Sequence, residues 1–577
     1  MNNTQAGIHT IQDLDRAARV RLGRLTQGLS PVSIVSAFSD WLVHLAISPG
    51  RQQELAERAL RQWTRLGLEV FRCIAGRGEP CIEPLPQDHR FAAPEWKQWP
   101  YNLIYQAFLL NQQWWHYATT DVLGVTRHHE QQVTFAVRQM LDVFSPSNFL
   151  LTNPEALCVT VRSGGANLLQ GALNRFDDAM RIATGQPLPG TEKFRPGHEV
   201  AVTPGKVVFR NHLIEVIQYL PQTERVFAEP VLLIPSWILK FYILDLSPGN
   251  SLVRYLVEMG HTVFMVSWKN PDSDDRDLGM DDYLQSGVMA AIEAVATIVP
   301  NRRIQAAGYC LGGTLLSMAA AYMARSQDDR LKSLTMLASE LDFTEPGELG
   351  LFIDESQLAF IGAMMFKQGY LDGKQMAGAF ALLNSRDLVW SRMEHDYQLG
   401  LRRPVTDVAA WNADATRMPY RQHREYLHSL YLRNDLAEGR YLVDGKPIAL
   451  SDIRVPVFSL GTQRDTVSPW HSVYKVNRLI DAELTFCLTS GGHNMGVVNP
   501  PGAGAKRGYQ LATRHDGDHY IDPAAWSATA PSYEGSWWPA WEGWLRQHAG
   551  TRIVPPQLGS KAHPVLDDAP GRYVLIP

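Results

Sequence analysis

Apolar residues recur at three- and four-residue spacing in the first third of the chain, most clearly over Arg51 to Phe71, Trp99 to Tyr117 and His128 to Phe144. That spacing lines up apolar side chains along one stripe of a helix, and Pro and Gly punctuate the runs, so residues 1–195 are expected to form an all-helical N-terminal domain. From about residue 205 the texture changes. Short β-branched runs now alternate with helical stretches: Lys206 to Phe209, Ile214 to Tyr219, Val231 to Ile234, Thr262 to Ser267, Ile304 to Ala307, Leu334 to Ala338, Val455 to Leu460 and Leu484 to Leu488. This alternation predicts a mostly parallel sheet with helices on its faces across residues 196–577. Between the strands near 338 and 455 lies far more chain than one βα repeat requires, so 342–442 reads as an insertion, a helical cap over a site. The Trp-rich segment Ser536 to His548 predicts a terminal amphipathic helix.

Composition narrows the function classes. With 54 basic and 59 acidic residues the net charge is −5 and no basic stripe is present, which argues against a nucleic-acid partner. Five widely spaced cysteines, Cys73, Cys81, Cys158, Cys310 and Cys487, suit a reducing compartment and free thiols better than a disulfide framework, and they contain no CxxC metal pair. The first residues lack a basic-then-apolar leader and no run of about 18 apolar residues occurs, so a cytoplasmic protein without a transmembrane segment is expected. The chain carries 16 Trp, which fit either the core or contact with an apolar, interfacial material.

The sharpest chemical feature is Gly308-Tyr309-Cys310-Leu311-Gly312-Gly313, placed after an apolar strand run and before the small-residue helical stretch Thr314 to Ala324. Strand, tight turn and helix in that order make a nucleophile elbow of the G-x-S-x-G kind, with a thiol in place of the hydroxyl. The helix N-terminus and a nearby imidazole favour the thiolate, the reactive form. Two partners follow in the order used by α/β-hydrolases, each just past a strand: Asp465 after Val455 to Leu460, and His493 after Leu484 to Leu488. In this reading His493 takes the thiol proton, Asp465 orients the imidazole and Cys310 attacks a thioester carbonyl. The oxyanion falls to the backbone N–H of Leu311 and to one in the loop after Val231 to Ile234, near Trp237 and Ile238. No metal is signalled by ligand spacing.

These residues sit in a longer pattern: DHRFAAPEW (88–96), SPSNFLLTNPEA (145–156), VAVTPGKVVF (200–209), the block from Lys240 to Pro271, GYCLGGT (308–314), LDF (341–343), DLVW (387–390), WNADATRMP (411–419), GGHNMGVVNPP (491–501) and GSWWPAW (535–541). The pattern resembles the single-subunit, class I-like polyhydroxyalkanoate synthases, bacterial polyester polymerases. The resemblance implies an α/β-hydrolase fold with a helical cap and a helical N-terminal domain. It also implies a Cys310, Asp465 and His493 triad, (R)-3-hydroxyacyl-CoA as substrate with no separate cofactor, and a homodimer at the surface of polyester granules. Leu239 stands where that family often has Asn, and Ser385-Arg386 precedes Asp387 where Pro-Asn is common; Thr466 follows the acid where His is common. A thioesterase or intracellular polyester depolymerase on the same fold is the alternative, since only the nucleophile that resolves the acyl-enzyme differs. A non-catalytic granule-binding relative is a third.

Overall fold

The computed structural model describes residues 14–23, 26, 28–74, 79–85, 88–373, 375, 385, 389–502 and 507–577. The chain forms two units: one of residues 22–189 with 378–404, the other of residues 1–21, 190–377 and 405–577. The segment 378–404, read from sequence as the middle of a cap, thus belongs with the helical unit, and the rest of 342–442 with the sheet.

The helical unit is built on α1 (Pro31–Ala46), α2 (Pro49–Ile74), α3 (Tyr101–Thr119), α4 (Arg127–Val143), α5 (Pro154–Arg162) and α6 (Ala166–Thr184). Two small apolar clusters hold it, one around Trp41, Val133 and Val137 and one around Phe91, Trp96 and Tyr105. Polar contacts supplement them. Arg90 is buried between Asp88 and Asp142, at 2.7 and 2.9 Å. The SPSNFLLTNPEA stretch is used structurally: the Asn153 side chain caps α5 by accepting from the N–H of Glu155 and Ala156, both at 3.1 Å, and its amide donates to Glu394 at 3.1 Å. Asn167 and Asn174 donate to the carbonyls of Gln398 and Asp396, and Asp178 receives Arg392, Tyr397 and Arg402. Polar side chains of α5 and α6 therefore grip the returning segment.

In the sheet unit the β-branched runs become β1 (Gly205–Arg210), β2 (Ile214–Tyr219), β3 (Val231–Ile234), β4 (Val263–Trp268), β5 (Ile304–Tyr309), β6 (Leu331–Leu337), β7 (Val457–Thr462) and β8 (Leu484–Thr489). Strands β3 to β8 pair in parallel, and β1 and β2 run antiparallel at one side. Two further antiparallel strands, β9 (Gly508–Arg514) and β10 (Ser532–Glu534), extend the other side, where the sequence reads as a polar stretch. β9 is at most partly buried and β10 is exposed, so no apolar run marks them. With β11 (Asp567–Asp568) the order is β10-β9-β8-β7-β6-β5-β3-β4-β2-β1-β11.

Register sets up the site. Tyr309 of β5 lies opposite Leu337 of β6, which lies opposite Leu460 of β7, itself opposite Cys487 of β8. Four adjacent strands thus end along one edge, and their loops leave together. Helix α7 (Leu311–Arg325) is almost wholly buried against this sheet. Helix α8 (Trp538–Gln547) is the expected Trp-rich helix, and its tryptophans are core: Trp537, Trp538 and Trp541 are buried, with their indole N–H groups on Gly496 O, Val497 O and Thr335 Oγ1 at 3.0 Å. Among the described residues no single helix is long and apolar enough to cross a membrane.

Candidate active site

Cys310 sits between β5 and α7 at φ 54°, ψ −127°, a conformation costly for any residue but glycine. The strain is enforced by surrounding contacts. The Cys310 N–H donates to Leu337 O at 2.8 Å and its carbonyl accepts from Gly313 N at 2.9 Å. The glycines of the motif are needed for proximity: a Cβ at Gly308 would lie 2.3 Å from Gly313 Cα, one at Gly312 2.2 Å from Ile234 O, and one at Gly313 2.0 Å from Ser339 Oγ. The first turn of α7 therefore packs directly on the loop after β3 that carries Trp237 and Ile238. Leu311 opens α7, so its N–H is among those with no partner one turn back.

Asp465 and His493 are brought together. His493 Nδ1 is 2.7 Å from Asp465 Oδ2, which also accepts from Thr462 Oγ1 at 2.9 Å. The other carboxylate oxygen accepts from the N–H of Val467 and Ser468, at 2.9 and 2.8 Å, so the acid is fixed by its own loop. The acid and base loops are tied as well: Gln463 N donates to Thr489 O at 2.9 Å and Arg464 N to Gly491 O at 2.8 Å. With Nδ1 committed to Asp465, the buried Nε2 of His493 has no hydrogen bond of ordinary geometry, and Cys310 lies within electrostatic reach of the ring. Burial works against a charged imidazole, but Asp465 and Cys310 outweigh it and hold the His493 pKa well above the ordinary histidine value. A proton accepted from the thiol would therefore be retained as an imidazolium.

Four residues given no role above lie around Cys310, Asp465 and His493. Tyr309 lies with its ring 5.7 Å from that of His493 and donates to Asn494 Oδ1 at 2.5 Å. Tyr426, buried, and Tyr431, partly buried, both from the insertion, are joined hydroxyl to hydroxyl at 3.0 Å within electrostatic reach of Cys310. Glu340, three residues past the end of β6, is 4% exposed. Only its position in LASELDF, a charge between apolar residues where a strand leaves the sheet, could have drawn attention to it.

Residues 87–256 match the family model of the poly-beta-hydroxybutyrate polymerase N-terminus, 9–51 match a second polymerase N-terminal model, and 229–500 match the alpha/beta hydrolase fold. The chain is 40% identical over 530 residues to a poly(3-hydroxyalkanoate) polymerase of Methylorubrum extorquens, covering 90% of this chain and 87% of that one. The chain belongs to the poly(3-hydroxyalkanoate) polymerase family. Polymerase subunits of Rhizobium etli and Cupriavidus necator are 36% and 35% identical, over 94% and 93% of this chain and 86% and 90% of theirs.

Within this polymerase family frame the three departures fall differently. Leu239 packs against the core and bridges Ala415, while the neighbouring Lys240 is buried and donates to the carbonyls of Val574 and Ile576. The Thr466 side chain is exposed, and its carbonyl accepts from Glu348 N at 3.1 Å. Arg386 lies outside the described residues.

Proposed function

We propose that this chain polymerises (R)-3-hydroxyacyl-CoA into polyester through a Cys310, His493 and Asp465 triad. The observation that carries the reading is a thiol held on a strained elbow beside an imidazole that is itself fixed at 2.7 Å by a fully hydrogen-bonded carboxylate. His493 accepts the thiol proton, and the thiolate adds to the thioester carbonyl. The N–H groups of Leu311 and Ile238 stabilise the oxyanion, and as it collapses the imidazolium of His493 gives its proton to the departing CoA sulfur, so that CoA leaves as the thiol and the imidazole is neutral again. Thioester exchange costs little because the bonds made and broken are alike. The 3-hydroxyl of a second acyl unit then loses its proton to the neutral His493 and attacks the acyl-cysteine; the acyl–sulfur bond breaks, the imidazolium returns the proton to Cys310, and the ester is one unit longer.

None of these steps draws on a metal or a separate cofactor. Membership of the polymerase family supports a cytoplasmic homodimer at a granule surface, and the exposed apolar residues of the helical unit, including Leu60, Trp63, Phe71, Leu169, Leu173 and Phe176, are compatible with contact to a polyester. Purified protein given (R)-3-hydroxybutyryl-CoA should release CoA and form chloroform-soluble polymer. Release of CoA with only free hydroxy acid as product would replace this reading with the hydrolase one. Normal granule association and polymer yield from Cys310→Ala would point instead to a non-catalytic relative.

A further inference from the structure

Glu340 is a buried carboxylic acid that the triad chemistry leaves without a task. Strand β6 ends at Leu337 and Ala338 takes a positive φ of 50°, which turns the chain sharply, much as Cys310 does at the end of the neighbouring β5. The turn is pinned on both sides. Ala338 N donates to Leu460 O of β7 at 2.8 Å, and Thr314 Oγ1 of α7 donates to the carbonyl of Glu340 at 2.8 Å. The residue is thereby held between the nucleophile elbow and the loop that carries Asp465. Its Oε1 is sealed from solvent and has no hydrogen-bond partner.

The groups within electrostatic reach of it come from several neighbouring elements. Cys310 comes from the elbow, Asp465 from the loop after β7, His493 from the loop after β8, Lys475 from the segment after Asp465, and Tyr426 and Tyr431 from the insertion. Burial first, then Asp465 and Cys310, push its pKa well above the ordinary glutamate value, while His493 and Lys475 oppose them. Lys475 is already engaged, with Thr344 Oγ1 at 2.6 Å, Glu345 at 3.2 Å and Asp342 at 3.4 Å. The basic group left for Glu340 is the imidazole.

We propose that Glu340 is a second positioning acid for His493, held in reserve beside Asp465. While Asp465 carries the negative charge, Glu340 keeps its proton, because two carboxylates in one buried site repel. If the Asp465 charge is lost, Glu340 releases that proton to solvent and becomes the anion that supports the imidazolium. The inference rests on the triad reading given above.

The test is a double-mutant cycle on the full chain with Asp465→Asn, Glu340→Gln and both together, read by CoA release and by the pH dependence of Cys310 alkylation by iodoacetamide, mapped by mass spectrometry. A triad stripped of its acid loses about 10⁴-fold. With Glu340 in reserve, Asp465→Asn alone should lose only about 10²-fold, and the remaining activity should rise with pH as Glu340 ionises. The double variant should lose about 10²-fold more and show no such rise, whereas Glu340→Gln with Asp465 present should cost less than about tenfold in kcat and leave KM unchanged. An equal factor for Glu340→Gln in both backgrounds, or a rising limb that persists in the double variant, would overturn the proposal. Glu340→Met, apolar and of similar volume, replaces Gln if the amide does not fold, with the same outcomes deciding. Alkylation needs no acyl-CoA, so its pattern stands or falls separately from polymer formation.

Discussion

The two units treat their large apolar residues in opposite ways. In the sheet unit Trp237, Trp411, Trp537, Trp538 and Trp541 are fully buried, in one continuous core that runs from β1 to α8. In the helical unit the apolar clusters are small, Trp63, Phe71, Trp99, Leu151 and Phe176 are exposed, and the segment 392–402 is held by Asn, Asp and Arg side chains. The difference has a physical consequence. A strained backbone such as that at Cys310 persists only where dense packing over-determines it, whereas exposed apolar side chains leave area unburied.

The contrast can be broken at several points. Cys310→Ala should abolish CoA release, a loss of 10⁴-fold or more, with the unfolding transition little changed; substantial residual turnover would mean that the strained elbow is not where the chemistry occurs. Trp541→Ala should cost about 3–5 kcal/mol in denaturant unfolding, while Trp63→Ala, at an exposed site, should stay within about 0.5 kcal/mol. Equal costs would erase the distinction between the units.

The sheet unit should also carry a pH dependence of stability. Burial pushes the His423 imidazole down to about 4 from an ordinary 6.5. Below pH 6.5 the unfolded chain binds a proton that the folded chain refuses, so stability is full above 6.5 and falls by up to about 3 kcal/mol as pH drops towards 4. His423→Gln should flatten that part of the stability–pH curve, and an unchanged slope would assign it to other groups.

In the helical unit Asp178→Ala removes the acceptor shared by Arg392, Tyr397 and Arg402 and should cost about 1–3 kcal/mol, seen as faster hydrogen exchange over residues 392–402. Unaltered exchange there would show that the polar grip is not what holds the segment. The smallest effect is expected from Phe176→Ser, at an exposed site, which should leave CoA release from soluble substrate unchanged while weakening binding to polyester particles.

Much of this was legible in one dimension. Period-3.6 patterns marked α2, α3 and α4, and short β-branched runs marked the eight strands β1 to β8, because a helix that buries one stripe repeats its apolar residues at that spacing and a strand buried on both faces is a short continuous apolar run. The positions of the proposed triad were legible for a related reason: Cys310, Asp465 and His493 each follow a strand in hydrolase order. Strands β9 and β10 were not legible, because half-exposed antiparallel strands need no apolar run. The exchange of 378–404 between units was hidden too, since Asn153, Asn167, Asn174 and Asp178 grip it through polar contacts that leave no periodic signature.

By itself, then, the sequence determined the parallel sheet, the elbow and the order of Cys310, Asp465 and His493 along the chain, all of which depend on local spacing. Only the tertiary structure decided that Asp465 meets the His493 imidazole and that the Glu340 acid is buried at the end of the neighbouring strand. Asp465 and Glu340 are far apart in the chain, and they approach one site because β6 and β7 are neighbours whose ends lie level along the sheet edge.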